Sequence, residues 1–208
     1  MIPVAIVAAI LMEIIVWRLV ATDRASVWGP LIAVFALHGA LAVLLDDFDG
    51  PGERGAALAL GLGTGAGLAL FAATRAFVAI AVAWPRFRQA VGERYTSAKD
   101  VSLATGLVLA VGVAVPGEEL FWRGLVQDRL VDATSAVVGA ILAWLGYVAT
   151  NLASTSLPIV AGAIVGGAMW AGLAWFTGGV LASLVCHAIW TGLMLAFPPA
   201  AGKGMMPA

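Results

Sequence analysis

The chain has 208 residues, of which 62% are hydrophobic and only 11% charged, well under the roughly 25% charge of an ordinary soluble domain. Its formal net charge is −1, which argues for no nucleic-acid partner, and its single cysteine, Cys186, excludes an intrachain disulfide and a cysteine-rich metal site. A bilayer core of ~30 Å takes about 20 apolar residues per helix, so this length holds six or seven spans with short loops and no separate soluble domain.

Seven apolar runs follow in chain order, at about 2–21, 30–45, 55–83, 101–130, 134–152, 157–176 and 178–197. No basic residue precedes the first run, so a cleavable signal peptide is not expected there. The third run is long enough to tilt or to continue into an interfacial piece beyond Arg75. Lipid obliges each segment to satisfy its own backbone hydrogen bonds, which makes helices the default. The runs are continuous rather than alternating, which argues against a barrel. The expected fold class is all-α, a polytopic membrane helix bundle of about seven transmembrane helices. It forms one membrane domain over 1–208: peripheral helices and a basic interfacial loop over 1–100, and a core over 101–198.

The connections carry the charge. DDFDGPGER (46–54) is acidic, with Pro and Gly marking a turn. WPRFRQAVGERYTSAKD (84–100) is basic and aromatic and suits an interfacial stretch, with Trp84, Phe87 and Tyr95 at headgroup level. The connections after the fifth and sixth runs are short and uncharged, which predicts a tight antiparallel bundle of runs five to seven. Within it Gly162 and Gly166 have the G-x-x-x-G spacing that permits close helix approach. The tryptophans read mainly as interface belts and packing. Arg18, Arg24, Arg75, Arg86, Arg88, Arg94, Lys99 and Lys203 fall late in or after odd-numbered runs, against Arg54, Arg123 and Arg129 late in or after even-numbered ones. That bias predicts the N-terminus outside and the C-terminus in the cytoplasm.

Ionisable residues inside spans cost roughly 2.5–3.5 kcal/mol each on insertion scales, so each is a functional candidate. They are Glu13, His38, Glu118, Glu119, Arg123 and His187. Glu118 and Glu119 follow a long apolar run and Pro116, which is expected to open the helix and free a carbonyl one turn back. Neighbouring helical positions point about 100° apart, so the two carboxylates face different surroundings. Glu119 and Arg123 share a face in the favoured acid-before-base order, and an Arg fork suits a carboxylate. The natural division is one Glu held by Arg123 and one free carboxylate in an apolar pocket, where it suits a general base. His187 lies mid-span with Thr191 one turn on. Asn151 is a third polar residue on a bundle helix, one turn after Tyr147. Glu13 and Arg18 are less well aligned and are expected near a helix end or paired with another helix.

The string Glu118-Glu119-Leu120-Phe121-Trp122-Arg123-Gly124 fits E-E-x-x-x-R. It resembles the first motif of the CAAX protease and bacteriocin-processing (CPBP, or Abi) family of intramembrane endopeptidases. That family's second motif, F-x-x-x-H, corresponds to Tyr147-x-x-x-Asn151, and its later H-x-x-x-N to His187-x-x-x-Thr191. The resemblance covers about 101–198. It implies a peptide hydrolase acting on a membrane-associated protein or peptide, with membrane lipid as its surroundings. By position, Glu118 is the base that activates water, Glu119 and Arg123 support it, and Asn151, His187 and Thr191 donate hydrogen bonds to the water or the oxyanion. The cofactor stays open. Zinc is an option the resemblance implies, but Asn151 stands where the family has His and is a poor zinc ligand. A metal-free glutamate-and-water mechanism survives that replacement. The other readings are a catalytically degenerate member serving as membrane scaffold or immunity protein, and a small-solute transporter, which the lack of an internal repeat disfavours.

Overall fold

The computed structural model describes residues 2–45, 52–97 and 101–199, with the side chains of 93–97 excepted. Most of the acidic turn (46–51), the side chains of Arg94 and Tyr95, and Lys99 and Lys203 therefore lie outside the described residues. The helices are α1 (Ile2–Ala21), α2 (Val27–Leu45), α3 (Ala56–Ala81), α4 (Pro85–Ser97), α5 (Leu103–Ala133), α6 (Ala136–Ser154), α7 (Leu157–Thr177) and α8 (Leu181–Ala196). No strand occurs among the described residues. Six of these helices are long and apolar enough to cross a membrane. The seventh apolar helix, α8, has 16 residues, or about 24 Å at 1.5 Å per residue. It is short of the ~30 Å core but lies inside the bundle against α3, α7 and α5. The basic stretch after α3 folds as the helix α4, with Phe87 and Val91 buried against Val78 and with Trp84 exposed.

Serine and glycine set the helix ends. Ser26, Ser102 and Ser135 accept the amides of Trp28, Thr105 and Val138, supplying acceptors to otherwise orphaned N–H groups. Gly178 ends α7 with φ +71°, a left-handed conformation that costs glycine nothing. Large apolar side chains such as Leu11, Ile15, Leu44, Ile80, Val108 and Leu145 are exposed, whereas Glu13, His38, Glu118, Glu119, Arg123, Gln127, Asn151 and His187 are buried. This is the arrangement lipid requires: apolar surface outward, polar groups paired inside.

α5 carries two wide turns, Ala110–Ala114 and Leu120–Val126, that flank Val115–Glu119. Pro116 has no N–H to give, and the amide of Val115 reaches back five residues to the carbonyl of Ala110. The helix opens at this proline as a π-type bulge. Gly117, next in line, meets the Phe35 carbonyl of α2 so closely that a Cβ there would overlap it, and a Cβ on Gly39 would sit 3.2 Å from the Cα of Gly117.

The close approach expected at Gly162 and Gly166 occurs elsewhere. A Cβ on Gly162 would meet only the Trp190 ring at 3.5 Å, while Gly166 makes room for Trp170 and Gly167 for Tyr147. Backbone meets backbone at Gly63 and Gly67 of α3. A Cβ would lie there 2.6 Å from the carbonyl of Ala182 and 2.9 Å from that of Cys186. The same spacing on a different helix carries the contact, because α8 packs most extensively along α3.

Gly67→Val is expected to destabilise the protein by about 1–3 kcal/mol through overpacking. Gly65→Val, whose Cβ meets nothing within 4 Å, leaves the thermal unfolding midpoint in detergent near that of the wild type. Equal midpoints for the two variants would refute the α3–α8 crossing.

Candidate active site

The site is built from α5, α6, α7 and α8. The wide turn after Glu119 leaves Arg123 one turn on, and Arg123 Nη1 lies 3.5 Å from Glu119 Oε1. The same oxygen receives His187 Nδ1 from α8 at 2.8 Å. Glu119 is fully buried, so these two groups replace the water a carboxylate would otherwise hold. A His that gives its Nδ1–H to a carboxylate has its ring turned and its tautomer chosen, leaving Nε2 as its free nitrogen. The ring is further fixed by stacking on Trp170, with centroids 3.6 Å apart and planes 15° from parallel.

Arg123 is held from several sides. Nη2 donates to the carbonyl of Gly167 at 3.3 Å, and the guanidinium carbon lies 4.4 Å from the centre of the Tyr147 ring and 5.4 Å from that of Trp170. Such cation–π contacts strengthen where water is absent. The absent side chain at Gly167 gives Tyr147 its space, since a Cβ there would stand 2.9 Å from that ring.

Glu118 has different company. The Tyr147 hydroxyl donates to its Oε1 at 3.2 Å, and Arg123, Glu119, His187 and Glu13 are all within electrostatic reach. Glu118 retains 8% exposure against 0% for Glu119, and it is the neighbour without a direct cation. Asn151 is buried and uses Nδ2 to donate to the Tyr147 carbonyl one turn back, at 2.9 Å. Thr191 is half-buried one turn past His187, and the described residues give it no hydrogen bond.

The sequence-predicted residues Glu118, Glu119, Arg123 and His187 are thus gathered in one patch, whereas the amide of Asn151 is turned to the backbone of its own helix and Thr191 makes no hydrogen bond to the patch among the described residues. Tyr147, which the sequence places one turn before Asn151 and at the aromatic position of the second motif, joins the patch as a residue not expected to touch the carboxylates. The signal that could have found it is its position: four residues before Asn151 on the helix facing the two carboxylates, with the only phenol hydroxyl in the last hundred residues.

The zinc that the resemblance implies does not fit these donors. A zinc site takes about three protein ligands, and among the described residues no three His, Cys, Asp or Glu groups come together to hold a metal. His187 Nδ1 and Glu119 Oε1 are turned to each other, Arg123 already lies on that carboxylate, and position 151 is an amide.

Residues 100–193 match the family described as Rce1-like, type II CAAX prenyl endopeptidase Rce1-like. The match spans all the motif residues and bears out the resemblance to the CAAX proteases. No curated protein and no solved structure matches the chain.

Arg123→Ala leaves Glu119 buried without its cation and is expected to cost about 3–5 kcal/mol, read as a lower unfolding midpoint in detergent and a lower yield. Arg123→Lys keeps the charge and loses less. A silent alanine variant would show that Arg123 is not what compensates the Glu119 carboxylate.

Proposed function

We propose that the chain is an intramembrane endopeptidase that cleaves a membrane-associated protein or peptide by a glutamate-activated water. The Rce1-like match over residues 100–193 supports peptide hydrolysis. The observation that carries the assignment is the asymmetry of the two adjacent carboxylates: Glu119 is locked between Arg123 and His187, and Glu118 is met by a single neutral hydroxyl.

Glu118 takes a proton from water and the resulting hydroxide attacks the peptide carbonyl carbon. The tetrahedral oxyanion collapses, the C–N bond breaks, and the proton held on Glu118 passes to the leaving nitrogen. Tyr147 steers the carboxylate of Glu118. His187, turned by Glu119, offers Nε2 to the water or the oxyanion, and the second N–H of Asn151 and the hydroxyl of Thr191 complete the polar wall. Fixed dipoles of this kind act strongly in a dry site. A prenylated CAAX tail is one substrate the family name suggests. The N-terminus lies outside and the C-terminus in the cytoplasm, a reading supported by the Lys and Arg distribution and by the exposed Arg86 and Arg88 on α4.

Asn151 favours one second reading, a catalytically degenerate member that binds a membrane protein as scaffold or immunity factor. Purified protein in detergent, assayed on a panel of membrane-anchored peptides, separates the two. The enzyme is expected to cleave without added metal and to survive chelator. Glu118→Gln should lose about 10²–10⁴-fold, the usual worth of a general base, and Asn151→His should change the rate only modestly. Activity abolished by chelator and restored by zinc would overturn the metal-free mechanism. Wild type inactive across the panel, with cleavage appearing in Asn151→His, would establish the degenerate reading.

The orientation has its own test. Cys186 is buried, so a single Arg88→Cys substitution reports cleanly with a membrane-impermeant maleimide. Labelling is expected only after the cytoplasmic face is opened; labelling of intact cells would reverse the topology.

A further inference from the structure

A second buried polar cluster lies outside the residues just described. Glu13 of α1 and His38 of α2 are both fully buried. Trp17 Nε1 donates to Glu13 Oε1 at 3.3 Å, and Trp122 Nε1 of α5 donates to Oε2, also at 3.3 Å. His38 Nδ1 stands 3.7 Å from the same Oε2. His38 Nε2 is 3.2 Å from the Ala9 carbonyl, and the ring stacks on Phe121 with centroids 4.1 Å apart. Three helices therefore converge on one carboxylate at membrane depth, where an acid is costly and an apolar residue would pack more cheaply.

The cluster continues into the site through one ring. Trp122 packs edge-on to Tyr147, centroids 5.6 Å apart and planes at 72°, and its six-membered ring lies against α6 where a Cβ on Gly146 would be 3.3 Å away. Tyr147 is walled by Trp122, by Trp170 at 6.3 Å and by Arg123. From within that cage its hydroxyl donates to Glu118.

We infer that Glu13 is a positioning residue for Glu118: it fixes the Trp122 indole and, through the Trp122–Tyr147 contact, the hydroxyl on Glu118. The role rests on Glu118 being the base. The physical reason is that a buried indole N–H without an acceptor costs free energy and turns to find another. Glu13 removes that freedom, and Trp122 then presents one fixed edge to Tyr147. Small displacements of a catalytic group are enough to slow chemistry.

The test uses the full chain in detergent with Glu13→Gln, Trp122→Phe, the double variant, Trp17→Phe and Tyr147→Phe. Glutamine offers one acceptor oxygen for two indoles, so Glu13→Gln is expected to lower kcat about tenfold while KM moves little. The double variant should fall no lower than Trp122→Phe alone, because both act through one contact. A second measurement does not need cleavage: the rate at which a hydrophobic carbodiimide modifies Glu118, read by peptide mass spectrometry. Glu13→Gln and Trp122→Phe should shift that rate several-fold in the same direction as Tyr147→Phe, and Trp17→Phe, which strips the opposite oxygen, should shift it less. If the wild type cleaves nothing, the proposed activity fails and the labelling arm decides the positioning role by itself. If Glu13→Gln does not fold, Trp122→Phe against Trp17→Phe decides it. Additive losses in kcat, unchanged Glu118 labelling, or equal shifts from the two tryptophan variants would overturn the inference.

Discussion

A carboxylate with no water around it must be answered by groups the protein itself brings, and Glu119 imposes that demand on the whole bundle. Its answer comes from two directions: Arg123, one turn on in α5, and His187 from α8. Arg123 in turn needs acceptors and finds the Gly167 carbonyl of α7 and the faces of Tyr147 and Trp170. His187 can reach Glu119 only because α8 is seated deep among its neighbours, and that seat depends on Gly63 and Gly67, where α3 meets the backbone of α8. Removing water raises the strength of each of these contacts and also the penalty for leaving any of them unmade.

The pairing of Glu119 leaves Glu118 without a direct cation, bonded to the Tyr147 hydroxyl instead. Two acids adjacent on a helix cannot both face the same cation, since their side chains diverge by about 100°. The wide turns around Val115–Glu119 set the direction in which they diverge. Pro116 opens the turn on one side, and Gly117 lets α2 close over it without a side chain in the way. The dipeptide before the acids thus does two jobs: it breaks the hydrogen-bond ladder and permits the closest contact in that part of the bundle.

Position 147 changes how the departure at position 151 is understood. Where the related motif carries Phe and His, this chain carries Tyr and Asn. The hydroxyl of Tyr147 bonds to Glu118, and the Asn151 amide bonds to the carbonyl of that same tyrosine. The two replacements differ in reach: the tyrosine hydroxyl adds a polar contact to the carboxylate, and the Asn151 amide bonds the backbone of its own helix one turn back. The aromatic faces of Trp122, Tyr147 and Trp170 then link the α1–α2 carboxylate cluster to the rest.

Composition and run length determined the class of fold, because a bilayer admits few ways to satisfy a backbone. The seven apolar runs reappear as helices α1–α3 and α5–α8 with ends shifted by a few residues, mostly to serine caps and the glycine after α7. The E-E-x-x-x-R spacing made Glu119 and Arg123 partners in advance, since a four-residue step is a local property of a helix. What only the tertiary structure decided involves two helices at once. The approach at Gly63 and Gly67 rather than Gly162 and Gly166 depends on which helix lies opposite, and G-x-x-x-G spacing on one helix says nothing about its neighbour. Glu13 and His38 are legible as costly residues in the first two spans, eight residues before the end of α1 and eleven after the start of α2, at similar depth. Their meeting with each other and with the indole of Trp122 required the hairpin to fold onto α5. A single chain written in order records depth and face for each residue; it does not record rotation about each helix axis, and rotation is what brings His187 to Glu119 and Tyr147 to Glu118.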